Sequence, residues 1–216
     1  MQWLLYAFGA YLLGSIPFGK LIARKVARID ITKKGSGNIG ATNVAREIGI
    51  GWGLLTLLLD MLKGLVPVAL FSAYSHPSAP TFQIGLALTG LCALLGHQFS
   101  LFESFRGGKG VATALGVYLG ISPLTCLVAV PLFVFVVYKW DFVSLGSLVA
   151  SCAVPIFLAL FGEAIPVILG SLIAAALICF KHRDNIRRLS QGTENRWRKG
   201  KGQAKRSKSL SSSSSE

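Results

Sequence analysis

Long apolar stretches alternate with short polar ones along the whole chain. Nearly uncharged runs cover Met1–Gly19, Gly64–Phe102, Gly110–Tyr138, Phe142–Gly162 and Ala164–Phe180, and lysine and arginine gather at 24–46, 103–109, 139–141 and from 181 onward. A helix that crosses a bilayer core needs about 17–25 apolar residues. The pattern therefore predicts an all-α polytopic membrane protein of about seven transmembrane helices. Segments 1–23, 51–74 and 81–97 are the first three. Turn signals at "SHPSAP" (75–80) and "FGEAIP" (161–166) separate later neighbours. The run 110–138 is read as two helices broken at "GISP" (120–123), because one unbroken helix would place the basic 139–141 and the basic C-terminal segment on opposite sides.

The uneven charge orients the bundle. With that break, 24–50, 98–110, 139–141 and 181 onward share one side, while 75–80 and 163–165 carry no Lys or Arg. The positive-inside rule assigns the basic side to the cytoplasm, so the N-terminus is expected outside and the C-terminus inside. The break has a cost. Residues 110–120 cover only about 16 Å as a helix, so this segment must start earlier, lie deep or sit where the bilayer thins.

Composition agrees with the pattern. Of 216 residues, 52% are hydrophobic and 14% charged, against about a quarter charged in soluble domains. The formal charge of +13 follows the loops and tail rather than a nucleic-acid-binding face, so no nucleic-acid partner is expected. The first apolar run lacks a basic leader and is too long for a signal-peptide core, which makes it a first span. Cys92, Cys126, Cys152 and Cys179 stand singly in apolar segments and read as packed free thiols. Residues 1–195 form one transmembrane domain. The basic, Ser-rich 196–216 is expected to be a disordered cytoplasmic tail beside anionic lipid.

Three polar segments meet on the basic side. "GSGNIGATNVAR" (35–46) offers small residues, hydroxyls and amides followed by Arg46. "GHQFSLFESFRGGKGVAT" (96–113) sets Gly107, Gly108 and Gly110 around Lys109, a candidate nest of backbone N–H groups at a helix start, where an anion is favoured. GKG in place of GK[ST], with no preceding strand, excludes a Walker A loop. "HRDNIRRLSQGTE" (182–194) puts His182 and Asn185 on one helical face and Arg183 and Arg187 on another. Basic anchoring at the membrane surface accounts for the arginines but less well for His182 and Asn185. Asp60 and Lys63, i and i+3 within the second span, read as a structural ion pair, with a proton or substrate path second. His97 reads as a hydrogen-bonding residue at a helix end. On these residues alone, an interfacial enzyme competes with a transporter of a phosphorylated small molecule.

Taken together in this order, the three motifs resemble the bacterial acyl-phosphate:glycerol-3-phosphate acyltransferase family, whose loops read GSGNxGATNxxR, GHxxPxxxxFKGGKGVAT and HRxNIxRLxxGxE. "DMLKG" (60–64) and "FVSL" (142–145) match as well, and the resemblance covers essentially 1–195. Ser100 stands where that family has proline, and Arg106 where it has lysine, which implies altered loop stiffness rather than lost activity. The resemblance implies transfer of a fatty acyl group from acyl phosphate to the sn-1 hydroxyl of glycerol 3-phosphate, giving lysophosphatidic acid and phosphate. It implies that Ser36, Arg46, Lys109, His182 and Asn185 bind glycerol 3-phosphate and carry catalysis. The resemblance further implies that Thr42, Asn43, the Gly107–Gly108 backbone and Ser144 hold acyl phosphate, with Asn38 and Glu194 in support. The base is His182 or the donor's own phosphate, and substrate assistance is preferred. Residues five positions after His76, His97 and His182 are Thr81, Phe102 and Arg187, so the HxxxxD dyad of acyl-CoA-dependent enzymes is missing. No metal or other cofactor is expected. The expected setting is a monomer in the bacterial inner membrane, its site facing the cytoplasm.

Overall fold

Apolar runs become helices because a chain in hydrocarbon must satisfy its backbone polar groups within itself. A computed structural model of the chain describes residues 2–198. Its described residues contain ten α-helices and no strand. The order is α1 (Gln2–Gly14), α2 (Phe18–Ile22), α3 (Ala41–Glu47), α4 (Ile50–Tyr74), α5 (Phe82–Gln98), α6 (Val111–Ile121), α7 (Pro123–Trp140), α8 (Val143–Leu160), α9 (Ile165–Lys181) and α10 (Arg183–Ser190). Among the described residues five stretches are long and apolar enough to cross a membrane, or six if α9 and α10, bent by 61°, are counted as one span. The chain is a multi-pass membrane protein. Large apolar side chains such as Leu5, Phe8, Leu127, Tyr138, Leu160 and Ile165 point outward, as a lipid-facing surface requires.

The "GISP" break is present. α6 ends at Ile121, and Ser122 leads into Pro123 at the first position of α7, where a proline loses no hydrogen bond. As the sequence implies, α6 is short, with 11 residues, about 16 Å. It does not start earlier than Val111. It is a short helix set into the bundle, with Gly110 at its head already buried.

Glycines let this helix sit so deep. A Cβ on Gly64 of α4 would lie 2.1 Å from Thr113 O, and one on Gly116 of α6 would lie 1.8 Å from Met61 O. The two helices thus touch backbone to backbone from both sides. Gly14 of α1 and Gly96 of α5 form a second such crossing, where a Cβ on either would lie 2.2 Å from the other helix's carbonyl oxygen (Ala93 O and Tyr11 O). Small residues at both crossings replace the hydrophobic drive that lipid does not supply between helices. A core of Val68, Phe71, Leu94, Val117, Leu158, Val167 and Ile178 fills the remaining space.

Asp60 and Lys63 are paired at 2.9 Å and almost wholly buried, with Lys63 also donating to Ile16 O at 2.9 Å. The cysteines are free thiols, but not all are packed. Cys126 is buried, whereas Cys152 is exposed with its sulfur 3.7 Å from that of Cys179. The expected tail does not begin at Arg196. Trp197 N–H donates to Asp141 O at 2.9 Å and Arg198 N–H to Asp141 Oδ1 at 3.0 Å, which docks this stretch against the α7–α8 turn. Residues 199–216 lie outside the described residues.

Candidate active site

The loop between the first span and α4 folds around one buried amide. Asn43 Oδ1 accepts the N–H of Ser36 at 3.0 Å, and its Nδ2 donates to Lys34 O at 3.1 Å and Asn38 O at 2.8 Å. Asn38 Oδ1 accepts from Gly40 N at 3.2 Å, a turn stabilised by its own side chain. Asn43 was expected to touch acyl phosphate. Its amide has a fourth backbone partner in Ile31 O at 3.3 Å, which makes it the buckle of the loop, and it lines the cavity as well. Closing the loop this way lets Ser36, Thr42 and Arg46 line a common cavity.

The glycine loop 105–110 packs against the C-terminal end of α5. Gly107 N–H donates to Gln98 O and Gly108 N–H to His97 O, both at 3.1 Å. The expected anion nest at Gly107–Gly108 is therefore corrected. These two N–H groups point into the protein, and neither residue lines the cavity. Their glycine character has a steric cause, because a Cβ would lie 2.0 Å from His97 O at Gly107 and 2.3 Å from His97 Nε2 at Gly108. Gly110 is needed twice over, with φ of +87° and Leu94 at 2.2 Å from its Cβ position. Lys109, Gly110, Val111 and Ala112 do line the cavity. The backbone donors offered to an anion are thus those of the first turn of α6, which have no partner within the helix.

α10 and the segment after it complete the mouth. His182 and Asn185 face inward and are buried, while Arg183 and Arg187 are exposed, as the helical spacing predicts. Lys109 Nζ donates to Asn185 Oδ1. Asn185 Nδ2 donates to Glu194 Oε1 at 2.7 Å, and Ser144 Oγ donates to the same oxygen at 2.9 Å. Glu194 Oε2 accepts from Arg188 Nε at 2.7 Å. One carboxylate thereby ties α8, α10 and, through Asn185, the glycine loop. Arg46 reaches Asn195 O at 3.3 Å and lies over the Trp197 ring at 5.8 Å.

Charges in the mouth are tuned by burial. Desolvation lowers Lys109 to about 8, although Glu194 opposes the shift. Burial and the Lys109 charge bring His182 to about 4. His182 is therefore neutral at pH 7, and with Nδ1 2.8 Å from Ile178 O its Nδ1 carries the proton and Nε2 an acceptor lone pair. Burial pushes Glu194 up, but hydrogen bonds from Asn185, Arg188 and Ser144 prevail and hold it below the usual carboxylate range. Arg46 is lowered by desolvation yet stays cationic, as guanidinium does in proteins. Arg188 is matched by Glu194 and Asp60 by Lys63, which leaves Arg46 and Lys109 as the mouth's excess positive charge.

Below the mouth the cavity turns apolar. It measures about 360 Å³ and continues between α6, α7 and α8 past Leu115, Tyr118, Ala129, Phe133 and Val154. Asp60, His97 and Arg188 also line it. Arg188 was not singled out from the sequence, although its spacing to Glu194 in one short segment was visible. Two departures in the second motif are explained locally. Ser100 is buried with its hydroxyl donating to Ser15 O, so a hydrogen bond stands in for proline's stiffness. Arg106 is exposed.

Comparison with known proteins agrees with this architecture. The family model described as glycerol-3-phosphate acyltransferase matches residues 4–192. A protein of that name from Geotalea daltonii is 51% identical over 87% of this chain and 93% of its own length. One from Geobacter sulfurreducens is 49% identical over 88% and 94%. Two crystal structures of PlsY (YgiH), an integral membrane glycerol 3-phosphate acyltransferase, superpose with TM-scores of 0.84 and 0.83 at 40% identity. They cover 91% of this chain and 96% and 95% of theirs; one is the glycerol 3-phosphate form and the other the lysophosphatidic acid form. With a family model matched over residues 4–192 and relatives about half identical along nearly their whole length, the chain belongs to the glycerol-3-phosphate acyltransferase family.

Proposed function

We infer that this chain is a glycerol-3-phosphate acyltransferase, and we propose acyl phosphate as its donor. The observation that carries the reading is the two-part cavity. A cationic mouth built on Arg46 and Lys109 opens directly into an apolar groove between helices, which suits one small dianion and one acyl chain ending in phosphate. Arg46, Lys109, His182, Asn185 and Ser36 bind glycerol 3-phosphate. Thr42, Ser144 and the first-turn N–H groups of α6 hold the donor's phosphate, with Asn38, Asn43, Gly107, Gly108 and Glu194 shaping the site.

The sn-1 oxygen attacks the acyl carbon, the ester C–O bond forms, and the bond to phosphate breaks. The hydroxyl proton passes to the departing phosphate. His182, neutral and held at about 4, is a weak base and a good hydrogen-bond acceptor for a substrate hydroxyl. Charge that develops on the carbonyl oxygen is met by donors already in place, which is where preorganisation lowers a barrier. We propose that the chain acts as a monomer. We propose further that the site faces the cytoplasm of the bacterial inner membrane, with seven membrane segments if the short α6 is counted.

Purified protein given labelled glycerol 3-phosphate should form lysophosphatidic acid with acyl phosphate, and essentially none with acyl-CoA. Equal turnover of acyl-CoA would refute the donor assignment. For orientation, cysteine placed at Ser78 in a thiol-free background should react with an impermeant reagent outside cells, and cysteine at Lys33 should not. Equal labelling would refute the proposed topology.

A further inference from the structure

Beneath the mouth lie buried polar groups to which the reaction as described assigns no task. Asp60 and His97 are 2% and 4% exposed, and both line the cavity. Their nearest atoms, Asp60 Oδ1 and His97 Nδ1, stand 3.7 Å apart, and His97 Nδ1 has no hydrogen-bond partner. Lys63 holds Asp60 from the other side at 2.9 Å and is itself tied to Ile16 O. An ion pair alone would neutralise Asp60, so it does not account for a buried histidine turned toward the carboxylate.

The other side of that histidine meets the glycine loop. His97 Nε2 abuts Gly108, whose Cβ position is 2.3 Å away, and His97 O accepts the Gly108 N–H. The next residue continues the grip. Gln98 O accepts the Gly107 N–H at 3.1 Å, and Gln98 Nε2 donates to Lys109 O at 2.8 Å. Three consecutive residues, ending at Lys109, are thus seated on two consecutive residues of α5.

We propose that His97, backed by Asp60, and Gln98 are positioning residues for Lys109: they fix the glycine loop so that the Lys109 ammonium meets Asn185 and the substrate phosphate. The negative charge of Asp60, 3.7 Å from Nδ1, favours this ring orientation electrostatically and so sets the plane of the ring against Gly108. Rotation of the ring would press on Gly108 and shift Lys109 with it. A shift of the order of 1 Å at a catalytic group can cost about a hundredfold in rate. This inference rests on the reading of the cavity as the acyltransferase site.

A double-mutant cycle with Lys109→Ala tests it, using the full chain in liposomes with acyl phosphate and glycerol 3-phosphate. His97→Leu should lower kcat/KM for glycerol 3-phosphate by roughly tenfold or more in the wild-type background. In the Lys109→Ala background it should cost about twofold or less, because groups that act through one another are not additive. His97→Asn, which can still donate toward Asp60, should recover most of the loss. Gln98→Met should show the same coupling, and it carries the test if His97→Leu does not fold. Equal losses in both backgrounds, or no loss in the wild-type background, would overturn the inference. Absence of acyl transfer by the wild-type chain would instead overturn the reading on which it rests.

Discussion

Arg106 and Lys109 belong to one loop, three residues apart, and their surroundings differ in nearly every respect. Arg106 is exposed, and its N–H closes a local turn onto Glu103 O. Lys109 is largely enclosed, bonded to Asn185, lowered to about 8 and seated by Gln98 on α5. The same division runs through α10, where Arg183 and Arg187 are exposed while Arg188 meets Glu194 at 2.7 Å. A charge count over the loops cannot separate these classes. Basic residues that set topology need only reach water and headgroups, whereas those that bind a dianion must be desolvated and held by partners with fixed geometry.

Four experiments bear on this contrast, and the first should have the largest effect. Gly107→Ala would put a Cβ 2.0 Å from His97 O, so the loop has to leave α5 and take Lys109 with it. Activity should fall by about 100-fold while circular dichroism still reports an intact helical bundle. Retained activity would mean that Lys109 needs no such seat.

Glu194→Gln leaves the volume but removes the acceptor for Arg188 and sets one amide against another at Asn185. A charge-assisted hydrogen bond is worth about 1.5–3 kcal/mol, so kcat/KM should drop by roughly 10- to 100-fold. Loss confined to protein yield, with normal kinetics, would confine Glu194 to folding.

The pH profile of the wild-type chain comes next. Lys109 is protonated below about 8 and loses its proton above. kcat/KM for glycerol 3-phosphate should therefore hold between pH 7 and 8, then fall by about tenfold per unit, as the loss of one essential proton from the free enzyme requires. Lys109→Arg should remove this limb, and Glu194→Gln should move it to lower pH because the opposing negative charge is gone. The smallest effect belongs to Arg106→Ala. Per correctly inserted molecule it should change activity by about twofold or less, in line with other exposed substitutions.

Much of this arrangement was legible in the sequence. Apolar run lengths located the helices, the Ser122–Pro123 pair located the break between α6 and α7, and spacing within 182–189 separated the buried His182 and Asn185 from exposed arginines. What stayed hidden depends on contacts between distant segments. Gly107 and Gly108 look like anion binders in sequence, but the direction of their N–H groups is set by α5, which approaches as closely as it does only because these positions lack a Cβ. Asn43 reads as one more polar group in a polar loop until the fold wraps that loop around it. The Asp60–Lys63 pair was visible through its i, i+3 spacing, but its proximity to His97 on another helix was not.

The central claim is that Lys109 is a substrate-binding charge rather than an anchor. Its most direct test is the specific activity of purified, correctly oriented Lys109→Ala across a titration of glycerol 3-phosphate, with acyl phosphate saturating. Loss of a charge-assisted bond of about 1.5–3 kcal/mol corresponds to a fall in kcat/KM of roughly 10- to 100-fold, with only partial recovery in Lys109→Arg because a planar fork replaces a compact ammonium. A near-wild-type value in the alanine variant would contradict the claim and leave Arg46 and the first turn of α6 to bind the phosphate without it.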